Sequence, residues 1–374
     1  MSPLLPLIRD AFGLDYARSG LLLSAYGLSL GFGQLPISAL ADRVSKRLMI
    51  AVGLIGVGLT GVAIAFTNEF WQLIPLLIVT GILAATYHAP AASYLAAAYT
   101  AVARGRALGT HVIGGALAFA AAPAIATWVA WLTGSWRMGF LALAAFPLAG
   151  GGMMLALLWR APERRMSREE HDRQEQVHAL RALRSVGPLV AVALGEQLLT
   201  ASMFAYIPLF LVDHHGVARE LAGLSIGLVA GVGIIAAPVG GALSDRFGRA
   251  PVLVAVTASV GPLILLLTYV PYGWPIALVL LVYGLSMNMR LPVLESLFAD
   301  AVPAHRRSTV LGLYYFIGQE SSGLTTPLVG RLIDVTSPVQ AFTVLGVLGT
   351  ALSLILLFTR QSLLTPRVAA ATSG

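Results

Sequence analysis

The chain repeatedly runs for about 20 residues with almost no charge, the length that crosses a bilayer core as a helix. Such stretches cover 18–41, 48–67, 70–98, 107–133, 136–159, 187–212, 220–243, 250–270, 273–299, 308–333 and 338–359. Backbone groups in hydrocarbon find no water, so each stretch must satisfy its own hydrogen bonds. The dyad alternation of a membrane barrel is absent from the sequence. The eleven stretches therefore predict an all-α membrane protein. Composition agrees: 57% of residues are hydrophobic and 11% charged, against about 25% charged in soluble domains.

Charge excludes several classes of function. The formal net charge is +7, yet the basic residues sit in short gaps between apolar runs rather than in one basic domain, so no nucleic-acid partner is expected. With no cysteine, thiolate metal sites and disulfides are impossible. The single lysine, Lys46, is not in a P-loop. No nucleophile elbow or metal cluster is legible, so the chain reads as no enzyme and calls for no cofactor and no metal.

The longest polar stretch, 160–186, divides the chain. It predicts an N-terminal helical half at 1–159, a linker at 160–186, a C-terminal half at 187–360 and a tail at 361–374. Placing the linker in the cytoplasm puts 18 of the 24 basic residues on that side. The other side holds Arg9, Arg18, Arg137, Arg219 and Arg331, and Arg290 stays inside a span. The positive-inside rule thus predicts a multi-pass protein of the bacterial inner membrane, with linker and C-terminus cytoplasmic.

The halves repeat one another. ALADRVSKR at 39–47 matches ALSDRFGRA at 242–250, placing Asp42 on Asp245 and Arg43 on Arg246, 203 residues apart. The same offset carries Gly13 to Gly216, Gly20 to Gly223 and Gly109 to Gly312. Parallel repeats of this kind build transporters from two six-helix halves that rock about a central site. The partner of span 187–212 would begin ahead of Met1, with only MSPLLPLIRD present here. The expectation is that most of the first helix lies upstream and that the native protein has twelve helices.

GALSDRFGRA (241–250) and SALADRVSKR (38–47) carry a family resemblance. The chain resembles the major facilitator superfamily, whose loop between helices two and three reads Gly-x-Leu-x-Asp-Arg-x-Gly-Arg-Lys/Arg. Ser38 and Ser45 depart from that pattern in the first copy. Gly248 suits a tight loop through its permissive backbone. Asp42 and Asp245 suit the positive N-terminus of a neighbouring helix. The resemblance implies that Asp42, Arg43, Asp245, Arg246, Gly248 and Arg249 form a conformational latch. RGRALG (104–109), RRSTVLG (306–312) and TYHAPAASYL (86–95) look like the fosmidomycin-resistance-type branch. Two features of drug antiporters are missing: no arginine lies in 70–98, and AAAPAIATW (120–128) replaces a Gly-Pro run.

An ionisable group at mid-bilayer costs about 2.5–3.5 kcal/mol on insertion scales, so it usually faces a cavity. His88, Glu196, Arg290, Glu295 and Glu320 are the candidates for binding substrate or protons. HAPAASYL (88–95) aligns with RLPVLESL (290–297), pairing His88 with Arg290. Arg290 suits an anionic group or the carboxylate of Glu196. Glu196 suits a proton carrier, because desolvation lifts a carboxyl toward working pH. The resemblance implies a monomeric secondary transporter exchanging a small solute, coupled to protons, across the lipid bilayer. Efflux and organic-anion uptake both remain open, as does a transporter-like receptor that moves no solute.

Overall fold

The computed structural model describes the backbone of residues 1–41, 44–99, 101–158, 187–301 and 323–364. A 3-10 turn at Ser2–Leu4 leads into α1 (Leu5–Phe12), followed by α2 (Tyr16–Ala41), α3 (Lys46–Ala65), α4 (Phe70–Ala98), α5 (Ala101–Thr133) and α6 (Trp136–Leu158). After the linker come α7 (Gly187–His215), α8 (Arg219–Ala222), α9 (Leu224–Gly231), α10 (Gly233–Phe247), α11 (Arg249–Tyr269) and α12 (Trp274–Ala301). Residues 323–335 form α13, and α14 is Pro338–Leu364. No strand occurs among the described residues. Eight candidate spans among them are long and apolar enough to cross a membrane. Many large apolar side chains are exposed, as a lipid-facing surface requires: Phe66, Trp71, Tyr269 and Trp274 are 66–77% exposed. Trp and Tyr favour the headgroup level. Trp71 and Trp274, like Phe66 and Tyr269, stand 203 residues apart.

The described residues form two compact units. The first spans 1–169 together with 204–227 and 322–336, and the second spans 170–203, 228–321 and 337–374. In the first unit, Leu4, Ile8, Leu22, Leu73, Leu77, Ala130 and Trp136 share one buried core. α3 lies against α6, and α2 against α4. In the second unit α11 lies against α14, and α10 against α12.

The repeat governs this packing. Gly13 and Gly216 have φ of 60° and 67°, the left-handed geometry that ends a helix most easily at glycine. They cap α1 and α7. Gly58 of α3 lies so close to α6 that a Cβ would overlap Leu148. Its equivalent, Gly261 of α11, is pressed onto the Gly349–Thr350 backbone of α14. A backbone cannot move aside as a side-chain tip can. Gly261→Ala is therefore expected to cost about 1–3 kcal/mol by overpacking, and Gly58→Ala less. Thermal unfolding in detergent checks the order.

Span 220–243 falls within one candidate membrane span, Arg219–Phe247, but its helix is not continuous. It breaks at Gly223 and again at Val232. The second break has its cause on another helix. Asn288 of α12 donates its amide to the Val229 carbonyl at 3.0 Å, the carbonyl that would otherwise accept from Gly233. A side chain inserted into the ladder bends a helix.

Candidate functional site

The motif loop of the second copy is fully described. Gly248 joins α10 to α11 with φ 91°, a backbone unfavourable for any residue with a Cβ. Asp245 accepts from Arg249 at 3.2 Å, one turn on. Arg246 lies over the Phe247 ring at 5.3 Å. The first copy solves the same turn differently. Ser45, equivalent to Gly248, has φ −56° and caps α3 by accepting from the Leu48 amide at 3.4 Å. That side-chain cap explains why this loop does without glycine. Asp42 and Arg43 lie outside the described residues.

Among the intramembrane candidates, Arg290 and Glu295 sit on α12 in the second unit, both half-buried and both engaged in contacts. Arg290 lies 16 residues into a helix of 28, about 24 Å along it, well away from either end. His88 is on α4 and Glu196 on α7, but their side chains lie outside the described residues, and so does Glu320. A groove of about 590 Å³ in the first unit, between α2 and α4, is lined by Leu28, Phe32, Ile37, Ile78 and Ile82 with Ser24 and Ser29. It presents almost no polar surface.

Among the described residues, most of the ion pairs gather in one cluster that the sequence reading missed. It lies within the first unit, where α1 and α2 meet segments of the second half. Arg9 holds Asp213 with two guanidinium nitrogens, Nη2 at 2.8 Å from Oδ1 and Nη1 on Oδ2. The Tyr16 hydroxyl donates to the same carboxylate at 2.5 Å. Arg219 pairs through Nε with Asp10 at 2.5 Å. Asp334 of α13 accepts from the Tyr16 and Ala17 amides, both at 2.9 Å, so its charge lies at the positive end of the α2 dipole. The buried Tyr206 hydroxyl is shared between the Tyr16 carbonyl at 3.0 Å and the Thr326 carbonyl at 2.8 Å. The Ser2 hydroxyl donates to the Ala205 carbonyl at 2.8 Å.

These contacts have the symmetry of the repeat. Asp10 and Asp213 are equivalents, 203 residues apart, and so are Tyr16 and Arg219. Each aspartate is bound by the other half's side chain at the 16/219 position. Ser2 and Ala205 are equivalents bound to each other, which places them beside the pseudo-two-fold axis. Gly20 packs where a Cβ would meet Tyr206 and Pro327, and its equivalent Gly223 packs on Pro3 and Thr127. Pro3 is itself the equivalent of Tyr206. The signal was present: Asp10 stands three residues before Gly13, as Asp213 does before Gly216.

Burial pushes the Asp213 carboxyl up, but the hydrogen bonds from Arg9 and Tyr16 and the charges of Arg9 and Arg219 outweigh it and hold the group below the usual carboxylate range. Burial and the bond to Asp213 push the Tyr16 hydroxyl up, so it remains a donor. A depressed carboxyl contributes stability above its unfolded pKa and loses it as pH falls through the folded value. Other titratable groups stand nearby: Asp10 on α1, and His214 and His215 on α7. The expected result is a melting temperature that falls with acidification below the ordinary aspartate range, and falls less steeply in Asp213→Asn. Thermal unfolding across a pH series measures the difference.

A repeat of helix bundles, a duplicated Asp-Arg loop and ionisable groups in long apolar helices define a polytopic transporter-type membrane protein. Residues 1–324 match the Major Facilitator Superfamily profile, and the chain belongs to that family. It is 25% identical over 350 residues to the multidrug resistance protein MdtG of Enterobacter lignolyticus, covering 89% of this chain and 81% of the relative. It is 23% identical to a probable 4-methylmuconolactone transporter of Cupriavidus pinatubonensis, covering 88% and 78%. Among solved structures, a bacterial homologue of the human lysosomal transporter Spinster, in an inward-facing and unoccupied conformation, superposes with a TM-score of 0.77. It is 16% identical and covers 97% of this chain and 91% of that one, a likeness of fold. The chain is thus a secondary transporter of small solutes and not an enzyme.

Proposed function

We propose that the protein couples proton movement to export of a small organic solute by alternating access. The observation that carries the access mechanism is the repeat, expressed as equivalent tight glycines at Gly58 and Gly261 and as reciprocal pairs at Asp10 and Asp213. Two halves built alike from the same contacts can rock as bodies about their interface. The likeness to a multidrug resistance protein over most of both chains supports export. In this reading the linker and C-terminus are cytoplasmic, the membrane is the bacterial inner membrane, and the cluster around Asp213 faces outward. Glu196 carries the proton and Arg290 meets an anionic or polar group of the solute. Asp42, Arg43, Asp245, Arg246, Gly248 and Arg249 form the cytoplasmic latch.

The test uses everted membrane vesicles holding the protein, with an inward-acid pH gradient followed by a fluorescent dye. A panel of drugs and organic acids is added in turn. Export by proton antiport predicts that at least one compound collapses the gradient, and that Glu196→Gln abolishes the response. Normal antiport in Glu196→Gln removes that residue as the carrier. A second reading, uptake of an organic anion, is favoured by Arg290 well inside α12 and by the lactone-transporter relative. It predicts accumulation of a labelled organic acid in right-side-out vesicles. Failure of both assays with folded protein would favour a receptor that moves no solute.

A further inference from the structure

We infer that Asn288 is a positioning residue that ties the break between α9 and α10 to Arg290, so that a load on Arg290 selects between a broken and a continuous helix. The inference deepens the role proposed above for Arg290 and rests on it. Every contact at the break lies within the second compact unit.

Two donors compete for one acceptor there. In a continuous helix the Val229 carbonyl accepts from the Gly233 amide, four residues on. Here it accepts from the Asn288 amide at 3.0 Å, and the second N–H of that amide goes to the Gly284 carbonyl at 2.8 Å. Both donors of the side chain are thereby used. The Asn288 oxygen lies against Gly233, where a Cβ would stand 2.5 Å from it. Exchanging one hydrogen bond for another leaves the two arrangements close in free energy, and close states are the ones that a partner can tip.

The first copy of the repeat shows the other arrangement. Tyr26 and Gly81 are the equivalents of Val229 and Gly284, and the same close approach joins each pair. A Cβ at Gly81 would lie 2.6 Å from the Tyr26 carbonyl, and one at Gly284 would lie 2.9 Å from the Val229 carbonyl. The equivalent of Asn288 is Ala85, which has no amide to insert. There α2 runs unbroken from Tyr16 to Ala41. One kind of helix contact thus carries a broken helix with the wedge and a continuous one without it.

α12 connects the break to Arg290. The two residues are two positions and about 200° apart on the helix, so the wedge and the guanidinium leave it on different sides. Between them, the Met289 backbone presses on α10: a Cβ at Gly240 would lie 3.0 Å from both the Met289 Cα and its carbonyl oxygen. A turn or slide of α12 that follows a partner at Arg290 therefore carries Asn288 into or out of the break, and α10 with it. α10 has 15 residues, so it is about 22 Å long. A kink of about 20° at its head moves its far end, which bears Asp245 and Arg246, by about 8 Å.

The chain has no cysteine, so two introduced thiols carry spin labels without background. Phe247→Cys at the end of α10 and Ile355→Cys on α14 are exposed positions of the second unit. Pulsed double electron–electron resonance reads their separation. Asn288→Ala, which installs the residue of the first copy, is expected to shift that separation by about 5 Å or more. Gly233→Ala places a Cβ on the Asn288 oxygen and expels the same wedge. It should give the same shift, and it decides the matter if Asn288→Ala fails to accumulate. Arg290 is engaged in contacts in the broken arrangement, so its loss favours the continuous one. Arg290→Gln is therefore expected to raise the population at the shifted distance about ten-fold or more, and to add nothing in the Asn288→Ala background. A separation unchanged in both Asn288→Ala and Gly233→Ala overturns the wedge. A shift in those variants with none in Arg290→Gln, or an equal further shift in the double variant, leaves a static kink and overturns the coupling. The distances need no solute, so they are decided apart from the vesicle assays. A coupled distance with solute flux untouched by Arg290→Gln would remove the solute role of Arg290 and keep the coupling.

Discussion

Arg290→Gln is expected to cut solute flux about thirtyfold or more while leaving the melting temperature within a few degrees of the parent. The residue sits 16 positions into α12, a helix of 28 residues. A guanidinium there does not lose its proton and needs a partner. Insertion of such a charge costs about 2.5–3.5 kcal/mol. A chain that accepts this cost in an otherwise apolar helix obtains something for it. Arg290 is half-buried and already engaged in contacts in this conformation. Two roles then give different results. If Arg290 meets the solute, Arg290→Gln removes a charge pair formed with the solute. Truncating one member of such a pair costs about 2–5 kcal/mol, or about one and a half to three and a half decades of transport, with little loss of fold. If Arg290 only ties helices, the loss appears in unfolding, and flux per folded molecule stays near the parent. Measuring transport and thermal unfolding on the same preparation separates them. Glu295→Gln is the companion variant. Five residues on, about 140° round the helix, it does not share the Arg290 face, and its effect on flux is expected to be smaller.

The fold was legible because its strongest determinants are local. Long apolar runs separated by short basic loops specify spanning helices before any packing is considered. The offset of 203, read from loop motifs and a few glycines, proved to organise packing that no loop could reveal. Trp71 and Trp274 are both exposed, and Gly58 and Gly261 each sit where a Cβ would overlap a neighbouring helix. Gly248 was legible for a local reason, a turn with φ 91°. The break at Val232 was not, because its cause is Asn288, on another helix and 56 residues away. The cluster at Asp213 was missed for a different reason. Arg9, Asp10, Asp213 and Arg219 occur in loop-like ends, where charge normally means contact with water and serves only to assign sidedness. Their pairing depends on bringing segments about 200 residues apart into contact. Applying the repeat to charged positions as well as to glycines would have put Asp10 beside Asp213 and suggested a symmetric pair.

Tyr206→Ala is expected to destabilise the protein by about 3–5 kcal/mol, the usual cost of truncating a fully buried aromatic side chain. Tyr206 is 0% exposed and packs against the Tyr16 ring at a centroid distance of 5.7 Å. Its hydroxyl spans the carbonyls of Tyr16 and Thr326 at 3.0 and 2.8 Å. Tyr206→Phe keeps the ring and removes only that bridge, so its cost should be near 1 kcal/mol. The ratio of the two losses separates packing from hydrogen bonding. The glycines around the hydroxyl supply a sharper test. A Cβ at Gly20 would overlap the Tyr206 hydroxyl and lie 2.9 Å from Pro327 Cα. A Cβ at Gly330 would lie 2.5 Å from that hydroxyl and 2.5 Å from the Tyr16 carbonyl. Gly20→Ala and Gly330→Ala therefore strain the same point. In a Tyr206→Phe background one of each pair of clashes disappears, and both substitutions should cost less than in the parent. Residues sharing a contact are coupled by about 0.5–3 kcal/mol, and here the sign is fixed by the clash. Relief should be greater for Gly20→Ala, whose remaining obstacle at Pro327 is the more distant, than for Gly330→Ala, which still meets a carbonyl. Thermal unfolding of the four single variants and the two doubles measures this order. Strict additivity would mean that the Tyr206 hydroxyl is not what requires glycine at these two positions.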